Sequence, residues 1–477
     1  MTRRCGRKRS ALRVLATACL TAATLTVVGS PARSGAASGV DWYTYGFDLH
    51  RSGENPSETT IGIANAPGMH ELWATSLGGV MVGQAMVASG IVIGGFTRNV
   101  VYVGDEQGHF AAINQANGAV LWKHSLGSTK IAGCGDVDNG VFGIGGAATF
   151  HRATNTVYIA ANGDVHAFDM ASGAERSGWP VHFSNPKEVT SYGGLTADPA
   201  WNALYVQAGS HCDITPYHGS LTKIDVATHA VVKVFKPAGR VNGGGVWGAG
   251  GASYDPATNH VFIATGNALT SPEYYKYANH VVELDSNLKV VGSNYPGLTG
   301  VDVDFGATPI LYQASGCPAQ LAAKNKSGVL LVYTRGHLSD GATQRLQVAD
   351  ITDQQFNGLP AYSAALRTLF VSNSSDSADY RRGLIAFKVG TDCKLTESWS
   401  RQVGPNRSST SPPTFANGVV YYGDGYGGAA HAFNAKTGQE LWNSGFQIAG
   451  SVYAAPTVVN GVLLVPAWNG TLYAFGP

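Results

Sequence analysis

Residues 101–122 read VYVGDEQGHFAAINQANGAVLW, and this stretch decides the fold class. An alternating apolar strand enters a Gly-containing turn, a second alternating strand follows, and Asn-Gly then leads to Trp122. Period-2 alternation across a tight turn marks a hairpin, and the second turn feeds a third strand. The same order recurs in VYIAANGDVHAFDMASG (157–173), VYYGDGYGGAAHAFNAKTGQELW (420–442) and LLVPAWNGTLYAF (463–475). Weaker copies begin at LYVQAG (204–229), VFIATGN (261–290), QLAAKNKSGVLLVY (320–333) and LFVSNSSD (369–390). Copies spaced by roughly 45–60 residues are too long for one hairpin each and suit four-stranded blades.

The chain ends complete the pattern. The last copy stops at Tyr473-Ala474-Phe475 without an outer strand, and HELWATSL (70–77) stands alone near the other end. Pairing the two closes a ring and hides a free sheet edge. The expectation is all-β: an eight-bladed propeller closed by its N- and C-terminal strands, or seven blades if one weak copy is an insertion. Residues 78–96, GGVMVGQAMVASGIVIGGF, are apolar enough for a buried helix, but six glycines and Ile91-Val92-Ile93 favour paired buried strands.

Composition agrees. Gly (62) and Pro (20) make up about one residue in six of 477, so the chain turns often. Only 13% of residues are charged while 44% are hydrophobic, which excludes disorder and coiled coil. Seven of the 32 basic residues lie in residues 1–37, which hold no acid, so 25 face 31 acidic residues beyond them. That mildly acidic body has no footprint for phosphates, and nucleic acid is not an expected partner.

The basic run Arg3–Arg9, the apolar stretch Val14–Gly29 and the small residues after it follow the order of a secretory signal. Residues 1–37 are therefore expected to be a signal peptide, cleaved near Ala37 or Ser38, and 38–477 a single propeller. Arg3-Arg4 leaves general or twin-arginine export open. The mature chain is expected to be secreted, to have no membrane span and to be monomeric. It keeps Cys134, Cys212, Cys317 and Cys393, enough for two disulfides in any of three connectivities. Cys134–Cys212 and Cys317–Cys393, with similar separations, are favoured. With no C-x-x-C, covalent haem and structural zinc are not expected.

The repeat resembles that of the PQQ-repeat, quinoprotein alcohol dehydrogenase-like propellers, whose usual form is G-x-V-Y-V-G…G-x-L-Y-A-L-D-x-x-T-G-x-x-x-W. The resemblance runs through the mature chain, from DWYTYGFDLHRSGENP (41–56) onward. It implies the propeller fold. It leaves function divided between dehydrogenases that hold pyrroloquinoline quinone (PQQ) on the axis and propellers that bind no cofactor.

Longer motifs carry residue-level implications. GGGVWGAGGASYDPATNHVFIATGNA (243–268) is similar to a dehydrogenase stretch in which a Trp lies under the quinone and an Asn ligates calcium. By resemblance these are Trp247, a flat apolar floor, and Asn267, a hard oxygen donor. VDVDFGATPILY (301–312) resembles the motif whose carboxylate ligates calcium and takes the alcohol proton. Asp302 is implied as base and ligand, with Asp304 the other candidate because the register is one residue loose. NKSGVLLVY (325–333) resembles the K-x-G-x-x-Y pattern, implying that Lys326 polarises a quinone oxygen.

Two matches are poor. In GSHCDITPYHGSLTKID (209–225), where the family gives a Glu to calcium, the nearest acid is Asp213, with His211 and His218 flanking its loop. CGDVDNG (134–140) has one Cys where many relatives have two, and Asp138 and Asn139 where a quinone-binding Arg would follow. A quinone carrying carboxylates calls for several cationic partners, and one is placed. Two functions follow: a PQQ- and calcium-dependent dehydrogenase of small alcohols, or a non-catalytic extracellular propeller binding a protein or glycan.

Overall fold

The computed structural model describes residues 39–135, 137, 140–298, 302–350, 358–405, 411–425 and 427–477. The expected signal peptide lies outside them. No helix among the described residues is long and apolar enough to cross a membrane.

Strands form where the alternation places them. Among the described residues, eight antiparallel sheets, each with a four-stranded meander, follow one another along the chain. Blade 1 comprises Met86–Ile93, Phe96–Gly104, His109–Asn114 and Val120–Ser125. Blades 2 to 7 begin at Thr149–His151, Thr196–Ala197, Ser253–Asp255, Ile310–Tyr312, Ala361–Ser363 and Thr414–Ala416. Blade 8 joins Thr457–Val459, Val462–Pro466 and Thr471–Gly476 to His70–Ser76, so the chain ends close the ring. The propeller has eight blades. Residues 78–96 hold no helix: Met86–Ile93 pairs with Phe96–Gly104, buried over Met86–Ser89, with Val92 and Phe96 exposed at the hairpin tip.

Aromatic side chains lock neighbouring blades together, as in Phe110–Phe168 between blades 1 and 2, with centroids 5.9 Å apart. The Trp that follows the Gly turn docks on the next blade. The indole nitrogens of Trp73, Trp122, Trp399 and Trp442 donate to the carbonyls of Gln115, Met170, Ala435 and Met69 at 2.8–3.3 Å. Gly173 shows why Gly precedes the Trp: its φ is 72°, and a Cβ there would lie 2.8 Å from Trp122 of the preceding blade. Trp442→Phe removes the hydrogen bond to Met69 and part of the ring packing, so it is expected to cost about 1–3 kcal/mol, read as a shifted urea midpoint with unchanged slope.

At the axis the opening segment acts as a hub. Trp42 pairs with Val87, and the carbonyls of Tyr43, Leu49, His50, Ser52 and Gly53 accept from Phe150, Tyr254, Leu311, Tyr362 and Phe415 at 2.8–3.0 Å. Asn55 Nδ2 donates to Val458 O at 2.8 Å. Each of these contacts falls on the second residue of a blade's first strand. Arg51, 1% exposed, serves blade 3 by donating to Leu195 O and Thr196 Oγ1. Three residues before those first strands stand Gly83, Gly146, Gly193, Gly250, Ala307, Gly358, Ser411 and Ala454. Eight chains converge here, and a Cβ on Gly146 would run into the carbonyl of Gly193 in the next blade.

Both disulfides pair as favoured, Cys134–Cys212 and Cys317–Cys393. Disulfides persist in oxidising compartments, so the pair fits an extracellular or periplasmic protein.

Candidate functional site

Next to the hub, the lead-ins to the first strands ring an axial cavity of about 530 Å³. Val82, Tyr192, Ala249, Gly306 and Tyr453 line it, and each stands four residues before the first strand of its blade. The wall also takes in Trp247, Asp213, Asp302, Asp304 and Lys326.

Blade 5 builds the charged side. Lys326 sits in the turn between Gln320–Lys324 and Val329–Thr334. Asn325 shapes that turn by accepting from Val329 N and Ser327 Oγ, while its amide donates to Val303 O. Lys326 N donates to Asp304 O at 3.0 Å, so turn and lead-in move as one unit. The Lys326 ammonium then lies 2.9 Å from an oxygen of Asp302 and 2.9 Å from one of Asp304. Trp247 Nε1 donates to Asp304 Oδ2 at 3.1 Å, and the ammonium stands 5.0 Å over the indole. Gly306 makes the slot for that ring: a Cβ there would be 2.5 Å from it.

The two aspartates differ. Asp302 is 41% exposed with φ 54°, whereas Asp304 is 6% exposed between Trp247 and Lys326. Burial pushes the Asp304 carboxyl up to about 6 against the pull of Lys326, with Asp302 and Asp213 adding repulsion. Burial also works against the Lys326 charge, but Asp304 and Asp302 outweigh it and its pKa is raised.

Blade 3, two places round the ring, supplies a second side. Cys212, held by Cys134, lies between His211 and Asp213 in a short helical turn. Tyr217 OH donates to Asp213 Oδ1 at 2.5 Å; burial, then Asp213, drives that phenol's pKa up. His211 packs on Phe142 and Tyr192, with centroids 4.6 and 5.8 Å away. Burial holds it down to about 4, so it is neutral near pH 7.

Of the residues singled out in the sequence, Trp247, Asp213, Asp302 and Lys326 come together on this cavity. Asn267 does not line it. It is buried behind the wall, its carbonyl accepting from Gly244 N at 2.7 Å. His218 turns to Val241 O at 2.9 Å rather than joining His211, while Asp138 and Asn139 lie outside the described residues. Tyr192, Tyr453, Trp468 and Glu106 complete the wall and were not expected. The repeated four-residue offset is the signal that could have found Tyr192 and Tyr453.

Solved structures share this fold. Quinohemoprotein alcohol dehydrogenase from Comamonas testosteroni is 17% identical over 93% of this chain and 81% of its own, with a TM-score of 0.70. A europium-containing methanol dehydrogenase is 15% identical over 93% of this chain and 99% of its own, at 0.69. BamB from Moraxella catarrhalis is 15% identical over 86% of this chain and 100% of its own, at 0.55. No curated protein sequence matches significantly. A family profile described as outer membrane protein assembly factor BamB matches residues 64–263 and 391–476, well over half of the chain. With an eight-bladed propeller of PQQ-type repeats beneath that match, the chain belongs to the PQQ-repeat family of that description.

Proposed function

We propose that the chain is an exported binding propeller that takes a small ligand into its axial cavity. The observation that carries this reading is the convergence of Trp247, Lys326, Asp213, Asp302 and Asp304 on one aromatic-walled space of about 530 Å³. Pockets of this size with a few convergent polar groups are where small molecules bind. Membership in a family described as an assembly factor supports a binding role over an enzymatic one.

Calcium and PQQ do not fit the residues present. The Lys326 ammonium already fills the bay between Asp302 and Asp304 where a metal would sit. Among the described residues no three His, Cys, Asp or Glu side chains are grouped to hold a metal ion. PQQ carries carboxylates, and beside Trp247 the described wall offers them one ammonium among Asp213, Asp302 and Asp304.

Alcohol oxidation with PQQ and calcium is the second reading. Asp304 favours it, a buried carboxylate titrating near 6 beside an indole floor, as a proton acceptor would. One titration separates the two. The purified chain is mixed with PQQ, with and without Ca²⁺, and Trp fluorescence is followed beside Trp247→Ala; dye reduction is then tested with alcohols. The expected result is no saturable quenching at micromolar PQQ and no turnover. Calcium-dependent quenching lost in Trp247→Ala, or turnover, would replace the binding reading with the dehydrogenase.

A further inference from the structure

The cavity also selects the charge of its ligand, an inference that rests on the binding reading above. Among the described residues, Asp213, Asp302 and Asp304 face the ammonium of Lys326. Neutral His211 adds no positive charge. This part of the wall is therefore negative by about two charges at neutral pH, which attracts cations and repels anions.

Two further observations point to a ligand nitrogen. His211 Nε2 is buried at the cavity wall without a hydrogen-bond partner, and a buried polar atom left unmade costs about 1–3 kcal/mol. With its proton on Nδ1, this imidazole presents an acceptor. Asp213 stands two residues on, across the disulfide-anchored Cys212, so both acceptors are fixed on one turn. The cavity also holds one ammonium already: Lys326 lies over the Trp247 face and against two carboxylates. Tyr192, Tyr453 and Trp468 extend that aromatic surface, and cations sit favourably over such rings.

We propose that the ligand is a small organic ammonium ion, a protonated primary amine whose N–H groups reach Asp213 and His211 Nε2 while its carbon skeleton lies against the aromatic wall. A tight match of this kind rejects analogues that lack the charge or the N–H donors, because the buried acceptors are then left unpaired.

Three probes of one shape test this by Trp fluorescence at pH 7: benzylamine, benzyl alcohol and benzoate. Benzylamine is expected to saturate, with benzyl alcohol at least about tenfold weaker and benzoate weaker still. Benzyltrimethylammonium, which keeps the charge and has no N–H, is expected to bind less tightly than benzylamine. Asp213→Asn is expected to weaken benzylamine about tenfold and benzyl alcohol by much less. The proposal is overturned if benzoate or benzyl alcohol matches benzylamine, or if benzylamine shows no saturation in the millimolar range. These arms read the ligand's charge alone, whereas the PQQ titration reads the choice between binding and quinone chemistry. A neutral or anionic preference without PQQ binding would sink this inference and leave the binding reading standing.

Discussion

Arg51→Met is expected to cost about 3–5 kcal/mol of stability, among the largest losses available to a single substitution in this chain. Arg51 uses all five N–H donors at the hub. Nε donates to Ala252 O (3.2 Å), Nη1 to Thr44 Oγ1 (2.7 Å) and Tyr45 O (2.9 Å), and Nη2 to Leu195 O (3.4 Å) and Thr196 Oγ1 (2.5 Å). Burial lowers its pKa to about 10, which still leaves it protonated at neutral pH. Methionine fills a similar volume and supplies no donor, so carbonyls on three segments lose a partner at once. Arg51 also stands at φ 61°, a left-handed conformation that its hydrogen bonds must hold in place. Arg51→Lys keeps the charge but replaces a planar fork with a point, and it is expected to recover less than half of the loss. Urea unfolding followed by Trp fluorescence and circular dichroism measures both. A methionine variant within about 1 kcal/mol of the parent would show that the hub is ornament rather than a fastening.

The hub also marks where reading the sequence stops. The blades were legible because alternation and the Asn-Gly or Thr-Gly turn before Trp are local signals, and closure was legible because His70–Ser76 had no neighbour of its own. The hub reaches six of the eight blades by backbone-to-backbone bonds and the other two through Arg51 and Asn55, so residues 42–55 show only their glycines and aromatics in the sequence. The small residues three positions before each first strand were present to be read, but only the ring shows why they are small. At the cavity, resemblance named Trp247, Lys326, Asp213 and Asp302, and all four meet there. It put Asp302 ahead of Asp304 on a register one residue loose, and the buried carboxylate beside Trp247 is Asp304. Two residues apart in an extended chain they would face the same way, and the left-handed backbone at Asp302 sends one outward and leaves the other buried. His211 was seen beside Asp213, but its packing was not legible, because Phe142 and Tyr192, which cover its ring, lie far from it in the chain.

Burial of Asp304, which outweighs the pull of Lys326, makes stability depend on pH in a direction opposite to that of an ordinary ion-paired carboxylate. The Asp304 pKa is raised, to about 6 from 3.8, so between those values the folded chain keeps a proton that the unfolded chain has released. Its contribution to stability therefore falls as pH rises from about 4 to about 6, by on the order of 2–3 kcal/mol. Lys326 has the same sign in a higher window. Its pKa is raised, so its contribution is complete below 10.5 and constant across the range from pH 5 to 8. Lys326→Met removes the cation and leaves Asp304 buried against Asp302 and Asp213, which drives the Asp304 pKa higher still. The variant is expected to lie about 3–5 kcal/mol below the parent at pH 8, where Asp304 must ionise without a partner. At pH 5 the carboxyl is protonated in both proteins, and the deficit should shrink to about 1 kcal/mol. Asp304→Asn in the Lys326→Met background should flatten that dependence, since an amide does not titrate. Urea midpoints at pH 5, 6, 7 and 8 read all of this. A Lys326→Met deficit that stays constant across the series would mean that Lys326 contributes packing alone and that Asp304 is solvated enough to ionise unaided.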